Sequence, residues 1–275
     1  MNTIQRIKIM ILVIILAIVA YNIYIYFNIN INRKVFKSSK VPKDFEDFRI
    51  LQITDFHNKK FYRKEFFIKT VIKERPDVIF LTGDFVDSRK TDLEVARNTI
   101  KELVKVCKVY YILGNHEERV PNIEEFLKDC EDLGVEVLRD RNVEYNKKNS
   151  TINIVGVDDP SISGVFSLRH ALKTLKKDNS LNILLSHRPE LFDEYVIAGY
   201  DLVFTGHTHG GQIRIPIIGA LFVPNQGIFP RYDKGQYTKK NTTMIVSSGI
   251  GTSVLPIRIF NKPEMVLMEL RPQDN

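Results

Sequence analysis

The sequence predicts an α/β fold preceded by one transmembrane helix. Three observations carry this. Apolar runs of strand length recur along the chain, helical patterns alternate with the early ones, and an uncharged stretch of 24 residues, Ile9 to Asn32, stands apart from both. The 275 residues are 44% hydrophobic and 27% charged, a globular balance that excludes disordered and collagen-like classes. Two cysteines, Cys107 and Cys130, are too few for a disulfide scaffold or a four-cysteine metal site.

The uncharged stretch comes first. Ile9 to Phe27 is interrupted by a single polar residue, Asn22. As a helix it would be about 28 Å long, close to the hydrocarbon thickness of a bilayer. Tyr21, Tyr24 and Tyr26 gather at one end, as in an interfacial aromatic belt. A cleavable signal peptide could be cut after Ile18–Val19–Ala20, but the apolar run continues past it, which favours an uncleaved anchor. A buried core helix would show a polar face, and this one does not. The expected partner of residues 9–27 is therefore a lipid bilayer, with the chain in the cell membrane through a single N-terminal pass. Arg6 and Lys8 precede the span; Arg33, Lys34, Lys37, Lys40 and Lys43 follow it. Counted alone, these charges put the large domain in the cytoplasm, but long domains cross regardless of such flanks, so the side stays open.

The expected organisation is an anchor with a short flank over 1–32, a polar linker over 33–47, and one domain over 48–275. Those last 228 residues suffice for a large α/β core. Strands are expected over Arg49–Thr54, Val78–Thr82, Val109–Leu113, Ile152–Val157, Leu181–Ser186, Leu202–Thr205, Met244–Ser247 and Met265–Leu270. Many have both alternate positions apolar, as strands buried on two faces do. Helical patterns fill Arg63–Glu74, Asp92–Val106 and Asn122–Leu133, the last with Asn122 as its cap and Gly134 as its stop. Strand–helix–strand alternation argues for helices covering sheet faces.

Five of these strands run into polar residues of metal-ligand type. They lead into Asp55–Phe56–His57, Gly83–Asp84–Phe85–Val86–Asp87, Gly114–Asn115–His116–Glu117, His187–Arg188–Pro189 and Gly206–His207–Thr208–His209–Gly210–Gly211. The carboxyl ends of strands line the ligand crevice of open α/β sheets, so these loops are expected to meet. Asp-x-His alone is commonplace and Gly-Asp-x-x-Asp alone is usually a turn. The conjunction is specific: five of the six histidines fall in these loops, each just after a strand. His170 is the exception and is given no role. Carboxylate, imidazole and amide donors without thiolate suit divalent cations such as manganese, iron or zinc. Asp55, His57, Asp84, Asn115, His187, His207 and His209 are too many for one ion. With one bridging carboxylate they give four protein ligands to each of two ions, a clamp for in-line displacement at phosphorus.

The motif order D-x-H, G-D-x-x-D, G-N-H-E, a lone His, then G-H-x-H resembles the calcineurin-like metallophosphoesterase superfamily from about Phe48 to the end. The tail, GHTHGGQIRIPIIGALFVP followed by SSGIGTSVLPIRIFNKPE, resembles its bacterial membrane-anchored branch. The resemblance implies a four-layer α/β/β/α sandwich of two mixed sheets. It implies that Asp55, His57, Asp84 and His209 hold one metal, and that Asp84, Asn115, His187 and His207 hold the other. It further implies that His116 acts on the leaving group with Glu117 orienting it, and that Asp87 supports the site. Manganese comes first among the metals on this ground alone. One departure is that no glycine follows His57 in Asp-Phe-His-Asn-Lys-Lys, which leaves the rim shape open.

The expected function is thus phosphoester hydrolysis, as a phosphodiesterase, phosphatase or pyrophosphate hydrolase, by in-line attack of metal-activated water on phosphorus. The run Ile213–Phe229, rich in isoleucine but broken by Pro216, Gly219, Pro224 and Gly227, reads as a loop or short hairpin. It is either a flap beside the metals, favouring a lipid-linked phosphoester or nucleotide-sugar-lipid substrate, or core filling beneath them. The alternatives are a nuclease, a protein phosphatase or a non-catalytic, membrane-tethered metal-binding module. The chain is basic, at 40 − 33 = +7, but lacks aromatic–basic interleaving, so no specific nucleic acid is expected.

Overall fold

A computed structural model describes residues 2–60, 64–252 and 257–273. The chain opens with helix α1 (Thr3–Phe27) and strand β1 (Asn30–Ser38). An alternating unit follows: β2 (Arg49–Ile53), α2 (Lys64–Glu74), β3 (Val78–Thr82), α3 (Leu93–Leu103), β4 (Lys108–Ile112), α4 (Ile123–Asp132) and β5 (Glu136–Val137). A second unit has β6 (Arg141–Lys147), β7 (Ser150–Gly156), α5 (Pro160–Thr174), β8 (Asn182–Leu185), α6 (Phe192–Ala198) and β9 (Leu202–Thr205). Two small hairpins come next, β10 (Arg214–Ile215) with β11 (Gly219–Ala220) and β12 (Phe222–Val223) with β13 (Gly227–Ile228). The chain closes with β14 (Gly235–Lys239), β15 (Thr242–Val246) and β16 (Glu264–Pro272).

The long strands form two six-stranded mixed sheets, ordered β1-β16-β2-β3-β4-β5 and β14-β15-β9-β8-β7-β6. Side-chain alternation explains the layering. In β2 to β4 one face (Leu51, Ile53, Ile79, Leu81, Val109, Tyr111) packs on α2, α3 and α4 through Phe67, Ile100 and Phe126. The other face (Ile50, Val78, Phe80, Ile112) meets Ile154, Ile183, Leu185 and Phe204 of the second sheet. The outer face of that sheet takes Leu168, Leu172, Phe192 and Tyr195 from α5 and α6. This is the four-layer sandwich the resemblance implies. Doubly buried strands explain why both alternate positions are apolar.

The strand expectations hold to within two residues at each end. The start of α2 at Arg63 lies outside the described residues. Asn122 does stand before α4, but in the left-handed region (φ 57°) and with no side-chain cap bond. Gly134 takes φ 97° just past the helix and closes it as expected. Cys107 and Cys130 are both free thiols; the first is only half-buried. The expected linker over 33–47 is a correction. Residues 33–38 of it belong to β1, which starts earlier and pairs in parallel with β16 from Asn30↔Glu264 to Ser38↔Pro272. Phe36, Val41 and Phe45 from the same stretch are buried between the sheets. β1 reads as polar because it is an edge strand that buries only Phe36.

α1 is the one described helix long and apolar enough to cross a membrane, over Thr3–Ile25. None of its most apolar window is buried against the protein. An apolar helix whose most apolar window is left exposed by its own domain needs another covering, so α1 is a candidate membrane anchor.

Candidate metal centre

The carboxyl ends of β2, β3, β4, β8 and β9 lie along one edge of the sandwich and carry all seven expected ligands. The ligand atoms of Asp55, His57, Asp84 and His209 lie within 4.8 Å of one another, as do those of Asp84, His187 and His207. Asp84 is common to both groups, the place that the family resemblance gives to a bridge. Five of the seven (Asp55, His57, Asp84, His207, His209) take positive φ between 48° and 69°. Left-handed backbone in non-glycine residues persists only where surroundings over-determine it, and it clusters at functional sites. Loop crowding fixes two glycines. A Cβ on Gly114 would fall 2.4 Å from Asp84 Oδ1, and one on Gly206 would fall 2.1 Å from Thr54 Oγ1.

The donors suit a pair of divalent cations. His57 Nε2 and His209 Nε2 face each other at 3.1 Å, and His209 Nε2 is 3.4 Å from Asp55 Oδ1. Asn115 Oδ1 is buried with no hydrogen-bond partner. His187 Nδ1 is 2.9 Å from the carbonyl of Thr82, a contact that only the protonated nitrogen can make, which leaves Nε2, 3.2 Å from Asp84 Oδ2, facing the centre. A buried amide oxygen without a donor, beside opposed imidazole nitrogens, is what a cation would satisfy.

The electrostatics agree. Burial would raise Asp84, but His187, His57 and His116 pull its pKa well below the usual carboxylate range. Burial opposes a proton on His187, yet Asp84 and Asp55 hold its pKa up to about 10. Burial and neighbouring cationic groups drive His207 and His209 well below the usual range. Protons and metal ions compete for such donors, so metal affinity falls as pH falls.

His116 lies against the group, its ring 4.6 Å from that of His57. Its Nδ1 accepts from the Ser88 amide at 3.1 Å, which puts the proton of the neutral ring on Nε2. Burial, with help from His57, lowers its pKa to about 4. The ring is therefore neutral at pH 7 and offers an Nε2–H donor. His116→Ala should keep the metals by elemental analysis and lose about 10²–10⁴-fold in turnover on esters with poor leaving groups. A variant with full activity on such esters would remove His116 from the chemistry.

Glu117, expected to orient His116, does something else, and this is a correction. Its carboxylate accepts from the backbone amides of Asp84, Phe85, Val86 and Gly114 and from Tyr111 Oη, at 2.6–3.0 Å. It staples the β3 loop to the β4 loop. Adjacency in sequence misled because the 3₁₀ turn at Glu117–Arg119 sends the side chain inward. Asp87 lies 3.5 Å from His57 Nδ1 and 3.4 Å from His116 Nδ1, within reach of both rings.

Three polar residues escaped the sequence reading. Arg188 makes a bidentate, buried contact with Asp159 at 2.6 and 2.9 Å, and its Nη1 lies 2.9 Å from His207 Nε2. Asn225, in the turn of β12–β13, reaches the same nitrogen at 3.0 Å. Asn261 donates to the carbonyl of His209 at 2.6 Å. Arg188 stood in view beside the lone histidine, in His-Arg-Pro, but its partner lies 29 positions away. Arg188→Ala would leave Asp159 charged, buried and unpaired, at an expected cost of about 3–5 kcal/mol in urea unfolding. Lys59 turns inward to donate to the Ile250 carbonyl, and Lys60 pairs with Asp92, so neither adds to the ligand groups.

Residues 48–211 match the family of calcineurin-like phosphoesterases. An uncharacterized metallophosphoesterase of Bacillus subtilis, YkuE, is 30% identical over 251 residues, covering 86% of this chain and 83% of that one. The phosphodiesterase YaeI of Escherichia coli is 24% identical over 86% of this chain and 84% of its own length. The crystal structure of a phosphopantetheinyl hydrolase from Mycobacterium tuberculosis overlays with a TM-score of 0.46 at 13% identity, over 74% of this chain and 89% of that one. Family membership and the converging donors together point to a dinuclear divalent-metal site. The chain belongs to the calcineurin-like metallophosphoesterases and is a hydrolase of phosphoester bonds.

Proposed function

We propose that this enzyme is anchored in a bilayer by α1 and hydrolyses a phosphodiester or pyrophosphate bond in a lipid-linked substrate, with manganese as the first candidate metal. The observation that carries the substrate class is the β10–β13 segment. The sequence left open whether its apolar side chains fill the core. Ile217, Ile218, Phe222, Ile228 and Phe229 are more than half exposed, while Asn225 of the same segment touches the His207 ring nitrogen. The segment is a wall of the site with an apolar outer surface.

When bound, two divalent ions supply an activated water and neutralise charge on the phosphoryl oxygens. Asp55, His57, Asp84 and His209 would hold one, and Asp84, Asn115, His187 and His207 the other. Arg188, held in place by Asp159 with its Nη1 2.9 Å from His207 Nε2, would present a fixed guanidinium edge beside the second ion's ligands. His116 presents Nε2–H to the departing oxygen. Glu117 keeps the two ligand loops in register.

The test is a panel of phosphomonoesters, soluble diesters and lipid pyrophosphates, assayed with added manganese on the full chain in lipid vesicles, with Asp84→Ala as blank. Faster turnover of lipid-linked diesters or pyrophosphates supports the reading. A preference for soluble monoesters would overturn the lipid-linked substrate class.

A further inference from the structure

Two exposed apolar hairpins invite a covering surface, and the topology supplies one. β1 runs parallel to β16, and β16 runs antiparallel to β2. The start of β1 at Asn30 therefore lies beside Glu264 at the edge where β2 ends in Asp55. α1 ends at Phe27, so it leaves the domain at the catalytic edge and not from the opposite side.

Its exit is fixed by contacts. The Arg258 amide donates to Asn22 Oδ1 at 2.8 Å. The Tyr21 ring lies 6.4 Å from that of Phe260, and Lys262 Nζ sits 5.4 Å over the Tyr24 ring. The Asn30 amide donates to the Pro263 carbonyl at 2.8 Å. The segment gripped by the helix end is bonded on its other side to the hairpins. Ile259 bridges Ile213, and the Arg214 amide donates to the Ile259 carbonyl at 3.0 Å. The hairpins are joined to one another through Leu221 N–H to Ile213 O and Phe229 N–H to Leu221 O. Helix end, segment 257–263 and hairpins thus make one hydrogen-bonded unit.

The outer surface of that unit is apolar. Ile217 is fully exposed, Ile218, Ile228, Phe229 and Phe260 are 61–69% exposed, and Phe222 is 54% exposed. Its inner surface is tied down, with Asp233 Oδ2 accepting from the Ala220 amide and Gln226 bonded to Tyr232 in both directions. Arg231 and Lys262 lie exposed among these residues. Rigid backbone, outward isoleucine and phenylalanine, and flanking cations are the composition of an interfacial membrane contact.

We infer that the two hairpins and Phe260 form a second membrane contact, seated at the headgroup level of the bilayer that α1 crosses, so that the metal centre opens at the lipid surface. This rests on the reading of α1 as an anchor. The partner is a bilayer and not another protein, because the helix that continues into this face has an apolar window that the domain leaves uncovered. A contact of this kind sinks its apolar side chains about 5–10 Å into the headgroup and upper acyl region.

The chain contains no tryptophan, so a single introduced one reports its own depth. Phe229→Trp, Ile14→Trp (mid-span in α1) and Asn149→Trp (in the β6–β7 turn at the far edge) are made separately in the full chain. Each is reconstituted into phosphatidylcholine–phosphatidylglycerol vesicles carrying bromine near the head group or near the chain end. Ile14→Trp should be quenched most by deep bromine, Phe229→Trp by shallow bromine with a blue-shifted emission, and Asn149→Trp by neither. Quenching at Ile14→Trp with none at Phe229→Trp overturns this contact and leaves the anchor standing. No quenching at Ile14→Trp removes the anchor reading, and the contact falls with it. Equal quenching at Phe229→Trp and Asn149→Trp also overturns the contact, since the hairpins would then not be singled out.

Discussion

Asp84→Ala should lose both metal binding and hydrolysis. Asp84 belongs to both ligand groups, so its loss removes a donor from each ion and the charge between them. It also removes the acceptor of the His116 amide, bonded at 2.8 Å, and so loosens the β4 loop that carries Asn115. The expected loss is at least about 10³-fold in kcat/KM, or about 4 kcal/mol of transition-state stabilisation. Elemental analysis should show less than one metal per chain. His57→Ala or Asn115→Ala, each touching one group only, should lose less. A variant that retained two metals and near-native turnover would mean that Asp84 is not shared.

Glu117→Ala is expected to be the most destabilising single substitution at the site. It leaves four backbone amides and one phenol hydroxyl without their acceptor, all of them buried. Unsatisfied buried donors cost about 1–3 kcal/mol each, and partial relaxation keeps the sum below five full penalties. A loss of about 4 kcal/mol or more follows, which for a domain of this size lowers Tm by roughly 8–16 °C. Circular dichroism melts of the metal-loaded protein test it. A shift within a degree or two would show that water enters and satisfies these donors. Loss of metal at temperatures well below unfolding would confirm that Glu117 acts by holding the Asp84 and Asn115 loops together.

The candidate ligands were legible in the sequence because each sits at a strand end, where a period-two apolar run stops and a polar triplet begins. The strand carries the position and the polar residue carries the chemistry, so neither needs information from afar. Glu117 shows the limit. Its residue type and neighbourhood were plain, but whether its carboxylate faced His116 or the backbone of the β3 loop depended on a turn that local pattern does not encode. β1 shows another limit. Its partner is β16, 234 positions on, and an edge strand with one buried side chain carries almost no periodic signal. α5 showed in the sequence only as a polar helical pattern around His170, and Gly164 near its start takes φ 80°. Arg188 and Asn225 were missed because they meet their partner only through the fold: Arg188 stands beside His187 in the chain yet reaches His207, 19 positions on, and Asn225 is 18 positions past it.

The short passage from α1 to β1 has a mechanical consequence. Only Asn28 and Ile29 separate the helix from a strand that is already locked into the sheet. A 15-residue linker would have been a leash of about 50 Å, enough for the domain to swing freely and sample the aqueous volume. Three peptide steps allow about 10 Å. With α1 in a bilayer, the domain is moored by a strand whose nine-residue ladder takes any pull from the helix in shear along its whole length. Held this way, the domain would meet a substrate lodged in the same membrane by diffusion in two dimensions, at a rate set by area density, while a soluble molecule would have to come to it.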